Sequence, residues 1–173
     1  MTLSTALSSI DDAGDKLFAK LRGKPLYDQV FYWVSFVAEF SILWQVTALL
    51  ILAPFPELQG QWLRLLIVLL IESVLVNQVV KRLTNRSRPE PTSELTTNPR
   101  RPKTTSLPSG HASSATLGAI LLSVARPGLA PIFIILAILV GASRIHNRVH
   151  HTTDVIAGVA TGIFLAVVTL LVS

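Results

Sequence analysis

The sequence lacks cysteine altogether and has few charged residues. None of its 173 residues is Cys, and only 14% are Asp, Glu, Lys or Arg. The absence of cysteine excludes a disulfide scaffold, a thiolate metal site and a cysteine nucleophile. The scarcity of charge, combined with 50% hydrophobic residues and a mean hydropathy of +0.56, argues against a disordered chain or an ordinary soluble domain. The composition therefore favours a membrane protein of one domain.

Five apolar stretches have lengths that bracket the ~20 helical residues needed to cross a bilayer. They lie at 30–53, 62–80, 112–125, 129–142 and 155–172. The third and fourth are the shortest, and reach about 17 residues only if their helices begin at Gly110 and Gly128. In the last stretch, Gly158 and Gly162 form a GxxxG pair, which favours close packing inside a bundle over dimerisation. We therefore expect an all-α integral-membrane bundle of about five transmembrane helices over residues 29–173.

Residues 1–28 are expected to form an N-terminal amphipathic segment. Between Ile10 and Leu21, apolar side chains recur at helical spacing, and acidic and basic side chains occupy the opposite side. This pattern favours a helix lying in the membrane interface, with a solvated tail as the alternative. The segment has no apolar run like the core of a cleaved signal peptide, so targeting would fall to the first span.

The charge that is present is mostly positive and is concentrated in two stretches. Lys and Arg number 15 against 10 Asp and Glu, which suits nucleic acid, anionic lipid or a phosphate-bearing substrate. The first stretch covers 81–89 and resumes at 108–111, after a loop that contains four prolines between 89 and 107; the second covers 143–154. Two predicted crossings separate the stretches, so both should lie at one membrane face. The loop is then a flexible connection or a lid.

These two stretches have the residues of an oxyanion site. Lys81, Arg88 and Arg144 provide fixed positive charge. Ser109 and Gly110 open a predicted helix, whose free N–H groups and dipole favour an anion. A phosphate dianion would satisfy cations that are otherwise costly to bring together.

Two histidines in the same stretches suggest chemistry on that phosphate. His150 and Asp154 are four residues apart, so on a helix they would share a face, and the carboxylate would accept the ring N–H. The other ring nitrogen would then be a nucleophile towards phosphorus, and Asp154 would stabilise the cationic phosphohistidine. His111, at the start of a helix across the site, would protonate the departing alkoxide and later activate water.

Three motifs, in this order, resemble the signature sequences of the type 2 phosphatidic acid phosphatase family of membrane lipid phosphatases: Lys81-x6-Arg88-Pro89, Pro108-Ser109-Gly110-His111 and Ser143-Arg144-x5-His150-x3-Asp154. The motifs extend over a little under half of the chain. The resemblance implies metal-independent hydrolysis through a phosphohistidine, without a cofactor, with His150, His111 and Asp154 as catalytic residues. It also implies that the phosphoryl group is held by the remaining motif residues: Lys81, Arg88, Ser109, Gly110 and Arg144. The family commonly has six spans, whereas this sequence predicts five.

Several residues have other interpretations. Arg82 and Arg86 are expected to be the basic flank of a span, bound to lipid headgroups. His146, His150 and Asp154 also form an HxxxHxxxD pattern that could bind a divalent metal, which the neighbouring arginines disfavour.

Two carboxylates, Glu39 and Glu72, fall inside predicted spans, where a charge is costly. We expect them to pair with polar neighbours such as Gln45, Asn77 or Gln78, with recognition of the substrate headgroup as the alternative.

Two other function classes would use the same cationic pocket. A transporter or a phospholipid-binding scaffold would bind without turnover and would not depend on His150. A vanadium haloperoxidase resembles the family in its anion pocket, but five apolar spans argue against a soluble oxidant enzyme.

The expected substrate is a lipid phosphate whose phosphate lies at headgroup depth. Polyprenyl phosphates, diphosphates and polyprenyl-phosphosugar phosphates are favoured, with phosphatidate or phosphatidylglycerophosphate as alternatives; membrane lipids are expected partners and nucleic acid is not. Apart from the three cations assigned to phosphate, the active-site face has ten others, against only Arg64 and Arg126 opposite. The positive-inside rule then predicts an active site on the cytoplasmic face of the plasma membrane. The ten are Lys16, Lys20, Arg22, Lys24, Arg82, Arg86, Arg100, Arg101, Lys103 and Arg148.

Overall fold

The computed structural model describes residues 2–172, and the expected all-α class is confirmed. Within that range the chain forms seven α-helices: α1 (Leu3–Ala19), α2 (Pro25–Val37), α3 (Ile42–Leu52), α4 (Gln59–Val74), α5 (Gly110–Ala125), α6 (Ala130–His146) and α7 (Thr152–Leu171). A π turn (Leu75–Val79) and a 3₁₀ turn (Val80–Leu83) extend α4, and a 3₁₀ turn (Pro127–Leu129) leads into α6.

Each of the five apolar stretches is helical, but they differ in how well they fit a bilayer. Among the described residues, Pro127–His146 and Thr152–Leu171 are each long and apolar enough to cross a membrane. The bent pair Pro25–Val37 and Glu39–Leu52 is a third candidate if it is counted as one span, and Gly110–Ala125 is apolar but shorter. The count of five spans stays a prediction.

The first apolar stretch is broken, which the sequence did not predict. Helices α2 and α3 meet at 55° across a short 3₁₀ turn, Glu39–Ser41. Phe40 and Ser41 adopt left-handed backbone conformations there, with φ of 52° and 60°. Such φ values are uncommon for residues other than glycine and often mark functional sites. Neither proline nor glycine marks the break, so local sequence gave no signal for it.

Helix α5 lies at the centre of the bundle and packs against α4, α6 and α7. Its approach to α7 depends on two glycines: a Cβ on Gly158 would lie 2.4 Å from the backbone oxygen of Ser109, and one on Gly162 would lie 2.5 Å from that of Ser113. The GxxxG pair thus serves packing inside the bundle, as the sequence predicted. This close packing brings the N-termini of α5 and α7 together at one end of the molecule.

The N-terminal segment is helical, as its periodicity predicts, but it docks by an unexpected side. Asp11 of α1 accepts from Thr153 of α7, and Asp15 lies 3.6 Å from Arg148 in the connection between α6 and α7. The apolar residues Leu7, Ile10 and Leu17 are 41%, 41% and 62% exposed. Helix α1 therefore binds the protein partly through its acidic side and leaves these apolar side chains exposed; that it lies in the membrane interface stays a prediction.

Candidate active site

The two charged stretches converge on one cavity of about 490 Å³. Lys81, His111, Arg144 and His150 line it, together with Gly110 at the start of α5. Three separate parts of the chain supply these side chains: the turn after α4, the first turn of α5, and the end of α6 with the connection to α7. The expectation that both stretches lie at one end of the bundle is confirmed.

The loop after α4 orients Arg88 at this cavity through backbone carbonyls. The guanidinium donates to the oxygens of Thr104 (2.9 Å), Thr105 (3.1 Å) and Val149 (2.6 Å). Its Nη1 also lies 3.2 Å from Nε2 of His150. The region from 84 to 109 has no regular secondary structure but is bonded to the bundle, so this part of the loop is a scaffold for the site.

Lys81 and Arg144 are buried cations on the other sides of the cavity, 7% and 2% exposed. Arg144 donates to the hydroxyl of Ser35 on α2. Its Nε finds no hydrogen-bond partner among the described residues. An unpartnered donor on a buried guanidinium is costly, so Arg144 at this cavity favours an anionic ligand.

The ring of His150 is buried and points one nitrogen into this cationic surrounding. Because Arg88 can only donate, Nε2 of His150 is the acceptor of their contact, and the ring proton belongs on Nδ1. Nδ1 lies 3.7 Å from Oδ2 of Asp154 and 3.5 Å from Oγ of Ser106. Burial, together with Arg144, Arg88 and Lys81, lowers the pKa of His150 despite the opposing effect of Asp154. A neutral ring, whose Nε2 carries a lone pair and no proton, is the form that attacks phosphorus.

The pairing of His150 with Asp154 is present, but they do not share a helix face as the sequence predicted. Helix α6 ends at His146 and α7 begins at Thr152, so His150 lies in the connection and Asp154 in the first turn of α7. The carboxylate accepts the backbone N–H of His151 at 2.8 Å. Asp154 thus caps the start of α7 and contacts the imidazole at the same time.

Two partners of Asp154 were missed or misassigned by sequence reasoning. Ser106 donates from Oγ to Oδ2 at 2.5 Å, although nothing in its sequence context distinguishes it within the loop. Arg86 donates from Nη1 to Oδ1 at 2.6 Å. The expectation that Arg86 binds lipid headgroups is therefore wrong, because its guanidinium lies on a buried carboxylate.

Ser109 and Gly110 play different parts at the start of α5. Gly110 lines the cavity. Ser109 is fully buried as the N-cap: its Oγ accepts from the N–H of Ala112 at 3.4 Å, and its own N–H donates to the backbone oxygen of Asp154 at 3.0 Å. The starts of α5 and α7 are thereby joined behind the cavity, and the helix dipole of α5 is directed at it.

Glu39 pairs with His111 across the cavity. Its Oε2 lies 3.5 Å from Nε2 of His111, and its Oε1 accepts from Arg100 at 3.1 Å. The expected pairing with Gln45 is wrong, because that amide donates to the backbone oxygen of Phe40. Glu72 also lines the cavity. The side chains of Asn77 and Gln78 lie outside the described residues.

The alternative of a metal bound by the HxxxHxxxD pattern is not supported. His146 instead pairs with Asp28 of α2, Nε2 to Oδ1 at 2.8 Å, in a fully buried contact. Over residues 2–172, no group of three His, Asp or Glu side chains is arranged to hold a metal ion.

Comparisons with known proteins identify the family of this chain. The family model of the PAP2 superfamily matches residues 61–173. The decaprenylphosphoryl-5-phosphoribose phosphatase of Mycobacterium tuberculosis is 33% identical over 129 residues, which are 75% of this chain and 71% of that protein.

Two crystal structures are similar to this fold. The first is a transmembrane PAP2 type phosphatidylglycerolphosphate phosphatase from Bacillus subtilis, with a TM-score of 0.74, 26% identity, and coverage of 95% of this chain and 85% of that one. The second is LpxE of Aquifex aeolicus, with a TM-score of 0.65, 24% identity, and coverage of 90% and 93%. The second likeness concerns the fold alone.

Proposed function

This chain belongs to the PAP2 superfamily and is an integral-membrane lipid phosphatase, and we propose that it transfers the phosphoryl group of a polyprenyl-linked phosphosugar to His150. One observation carries the mechanism: the unprotonated Nε2 of His150 faces Arg88 at 3.2 Å, in a cavity that Lys81 and Arg144 also line. A nucleophile and three cations then surround the position that a phosphate would occupy.

The reaction takes place in two steps. Nε2 of His150 attacks phosphorus while the bond to the leaving oxygen breaks, and His111 gives that oxygen its proton. Water then attacks the phosphohistidine, His111 accepts the proton of the water, and inorganic phosphate leaves. Asp154 orients the ring of His150 and stabilises the positive charge that it acquires. Lys81, Arg88, Arg144 and the N-terminus of α5 at Gly110 hold the phosphoryl oxygens, with Ser109 capping that helix behind them.

A second, mostly apolar cavity of about 510 Å³ suits the lipid tail. It adjoins the break between α2 and α3 and shares Glu39, Phe40 and Arg100 with the catalytic cavity. A tail in this groove would place its phosphate at the cations while the chain remains in hydrocarbon. The curated relative acts on a polyprenyl-linked phosphoribose, which supports that substrate class, and the Bacillus subtilis structure supports phosphatidylglycerophosphate as the runner-up.

The direct test is phosphate release by purified protein in detergent, with decaprenylphosphoryl-5-phosphoribose and phosphatidylglycerophosphate as substrates. We expect His150→Ala to reduce kcat by about 10³-fold or more, because the nucleophile is lost. The matched control is His151→Ala, since the ring of His151 lies beside the backbone oxygen of Ser87 and does not line the catalytic cavity. Equal turnover by wild type and His150→Ala would refute the mechanism. No turnover of either lipid by wild type, with binding retained, would favour a transporter or scaffold.

We also propose that the site faces the cytoplasm in the plasma membrane. Arg22, Arg86 and Arg100 are paired with carboxylates, so they serve the fold as well as topology. Lys16, Lys20, Lys24 and Lys103 are exposed at the same end and support the positive-inside argument. Because the chain has no cysteine, Ser93→Cys and Glu57→Cys can each be labelled cleanly with an impermeant thiol reagent. We expect labelling of Glu57→Cys in intact cells and of Ser93→Cys only after permeabilisation; the reverse pattern would place the site outside.

A further inference from the structure

The N-terminal helix α1 is bonded directly to the surroundings of Asp154. Oδ1 of Asp11 accepts from both the N–H and the hydroxyl of Thr153, at 2.9 and 2.8 Å. Oδ2 of Asp11 accepts from Nη2 of Arg86. The other end of the same guanidinium, Nη1, bonds to Oδ1 of Asp154 and to the hydroxyl of Thr153, each at 2.6 Å. Arg86 therefore bridges a carboxylate of α1 and the carboxylate beside His150.

The backbone of α1 fits closely at the same place. Gly14, one turn after Asp11, lies against the first residue of α7: a Cβ on Gly14 would be 1.9 Å from Oγ1 of Thr152. Further along the helix, Phe18 packs edge-on against the rings of Phe31 and His146. Two independent features thus hold α1 on the N-terminus of α7: the ionic bridge through Arg86, and the close contact of Gly14 with the side chain of Thr152.

Arg86 depends on this second anchor to stay in place. Its side chain is 27% exposed, whereas Asp154 is fully buried. A long, partly exposed side chain loses rotamer freedom when it is fixed, so each further contact helps to keep it in place. Asp11 supplies a second contact to the same rigid fork and takes up part of its charge. Asp154 is then held in position while keeping enough negative charge to serve His150.

We propose that α1 is a working part of the site: through Asp11 it holds Arg86 on Asp154, so that docking of α1 positions the carboxylate that orients His150. Asp11 and Arg86 are positioning residues, since neither touches the substrate. The inference rests on the proposed phosphohistidine mechanism. Because the apolar side of α1 is exposed for lipid, it also links seating of this helix at the membrane to the chemistry.

The first test compares two neighbouring carboxylates of α1. Asp11→Asn removes the anchor, and Asp12→Asn makes the same change of charge at an exposed position of the same helix. We expect Asp11→Asn to lower kcat about tenfold, with KM within about twofold of wild type, because the defect concerns attack rather than binding. Asp12→Asn should keep kcat within about twofold of wild type.

The second test displaces α1 without touching the ionic bridge. Gly14→Val forces α1 away from Thr152, whereas Ala13→Val adds the same β-branched side chain at an exposed neighbour. Gly14→Val should reproduce the loss of kcat seen for Asp11→Asn, and Ala13→Val should not. Thermal unfolding of each variant separates a loss of kcat caused by displacing α1 from a global loss of the fold. Global unfolding would lower the fraction of active protein and not the turnover of the folded protein.

The third readout is the pH profile of Arg86→Gln, with Lys103→Gln as the exposed control. Lys81, Arg88 and Arg144 face His150 in both variants, so a change reports Arg86 alone. Without Arg86, the negative charge of Asp154 is no longer partly neutralised by a guanidinium, so it stabilises protonated His150 more strongly. The pKa of His150 then rises, and the acid limb of kcat/KM moves to higher pH. An acid limb that does not move would overturn the role of α1. So would wild-type kcat in both Asp11→Asn and Gly14→Val. If His150→Ala is inactive in the same assays, the proposed mechanism is unaffected by either result. Activity of His150→Ala would overturn both.

Discussion

The two histidines that line the cavity have very different surroundings. His150 is paired with Asp154, a fully buried carboxylate that also accepts bonds from Ser106, Arg86 and the N–H of His151. His111 is paired at 3.5 Å with Glu39, which also pairs with Arg100, whose side chain is 67% exposed. One carboxylate is fixed by the start of a helix, and the other lies on a break between two helices.

This difference matches the two halves of the proposed reaction. The nucleophile attacks one atom from one direction, so a rigid support is favourable. The leaving group carries the variable headgroup and the tail, and must depart after each turnover. The left-handed residues Phe40 and Ser41 adjoin Glu39, which lines both the catalytic cavity and the apolar groove proposed for the lipid tail. The less buried carboxylate is thus on the side proposed for substrate entry.

The largest expected effect comes from replacing Asp154, the carboxylate paired with His150. Asp154→Asn keeps the shape of the side chain but removes the charge that stabilises a cationic phosphohistidine. It also presents an amide to Arg86 and Ser106 in place of an ionised acceptor. We expect kcat to fall about 10³-fold in assays of phosphate release from the lipid substrate. A loss of less than tenfold would show that His150 does not depend on this carboxylate.

Glu39→Gln changes the carboxylate beside His111, and its effect should depend on the leaving group. If Glu39 supports His111 as the general acid, kcat on a lipid alkoxide should fall about thirtyfold. With p-nitrophenyl phosphate, whose leaving group needs no proton, the loss should be less than about threefold. Asp154→Asn should impair both substrates alike, because it acts on attack. Equal losses of Glu39→Gln on the two substrates would contradict a role for Glu39 on the leaving-group side.

The sequence predicted the parts of the site that depend on residue type and order. Counting crossings could bring Lys81, Arg144 and His150 to one cavity, with Arg88 beside His150, because hydropathy determines which ends of the helices are neighbours. The GxxxG pair likewise predicted a close contact, since only glycine permits backbones to approach so far.

The parts that could not be predicted depend on tertiary contacts of ordinary residues. Ser106 is one of several Ser and Thr residues in the loop and is identified only by its contact with Asp154. Arg86 has the composition of a lipid-binding flank, and only the docking of α1 turns it inward. The break at Phe40 has no Pro or Gly, so local propensity indicated a continuous helix. The sequence correctly paired His150 with Asp154, but it placed both on one helix face. The same spacing also fits a residue before a helix and a capping carboxylate in its first turn, which is the arrangement found.

Ser106→Ala makes a smaller change to the surroundings of Asp154. It removes one donor from Asp154 while the bonds from Arg86 and His151 remain. A hydrogen bond to a charged group contributes about 1.5 kcal/mol, so kcat should fall about tenfold. The control is Ser87→Ala, an exposed serine of the same loop, which should behave as wild type. If the two variants had the same kcat, the Ser106 contact would be irrelevant to catalysis.

The smallest expected effect is the response of His150 itself to acid. Burial and three neighbouring cations lower its pKa, so the ring should remain neutral as the pH falls from 7.5 to 5.5. A ring with the ordinary pKa of about 6.5 would be roughly 90% protonated at pH 5.5. A ¹⁵N-histidine NMR titration in detergent without substrate measures this directly, because the chain has only four histidines and His150→Gln assigns the signal. A midpoint near 6.5 would mean that burial and the cations do not act on this ring, and a nucleophile kept neutral by its surroundings would lose its electrostatic basis.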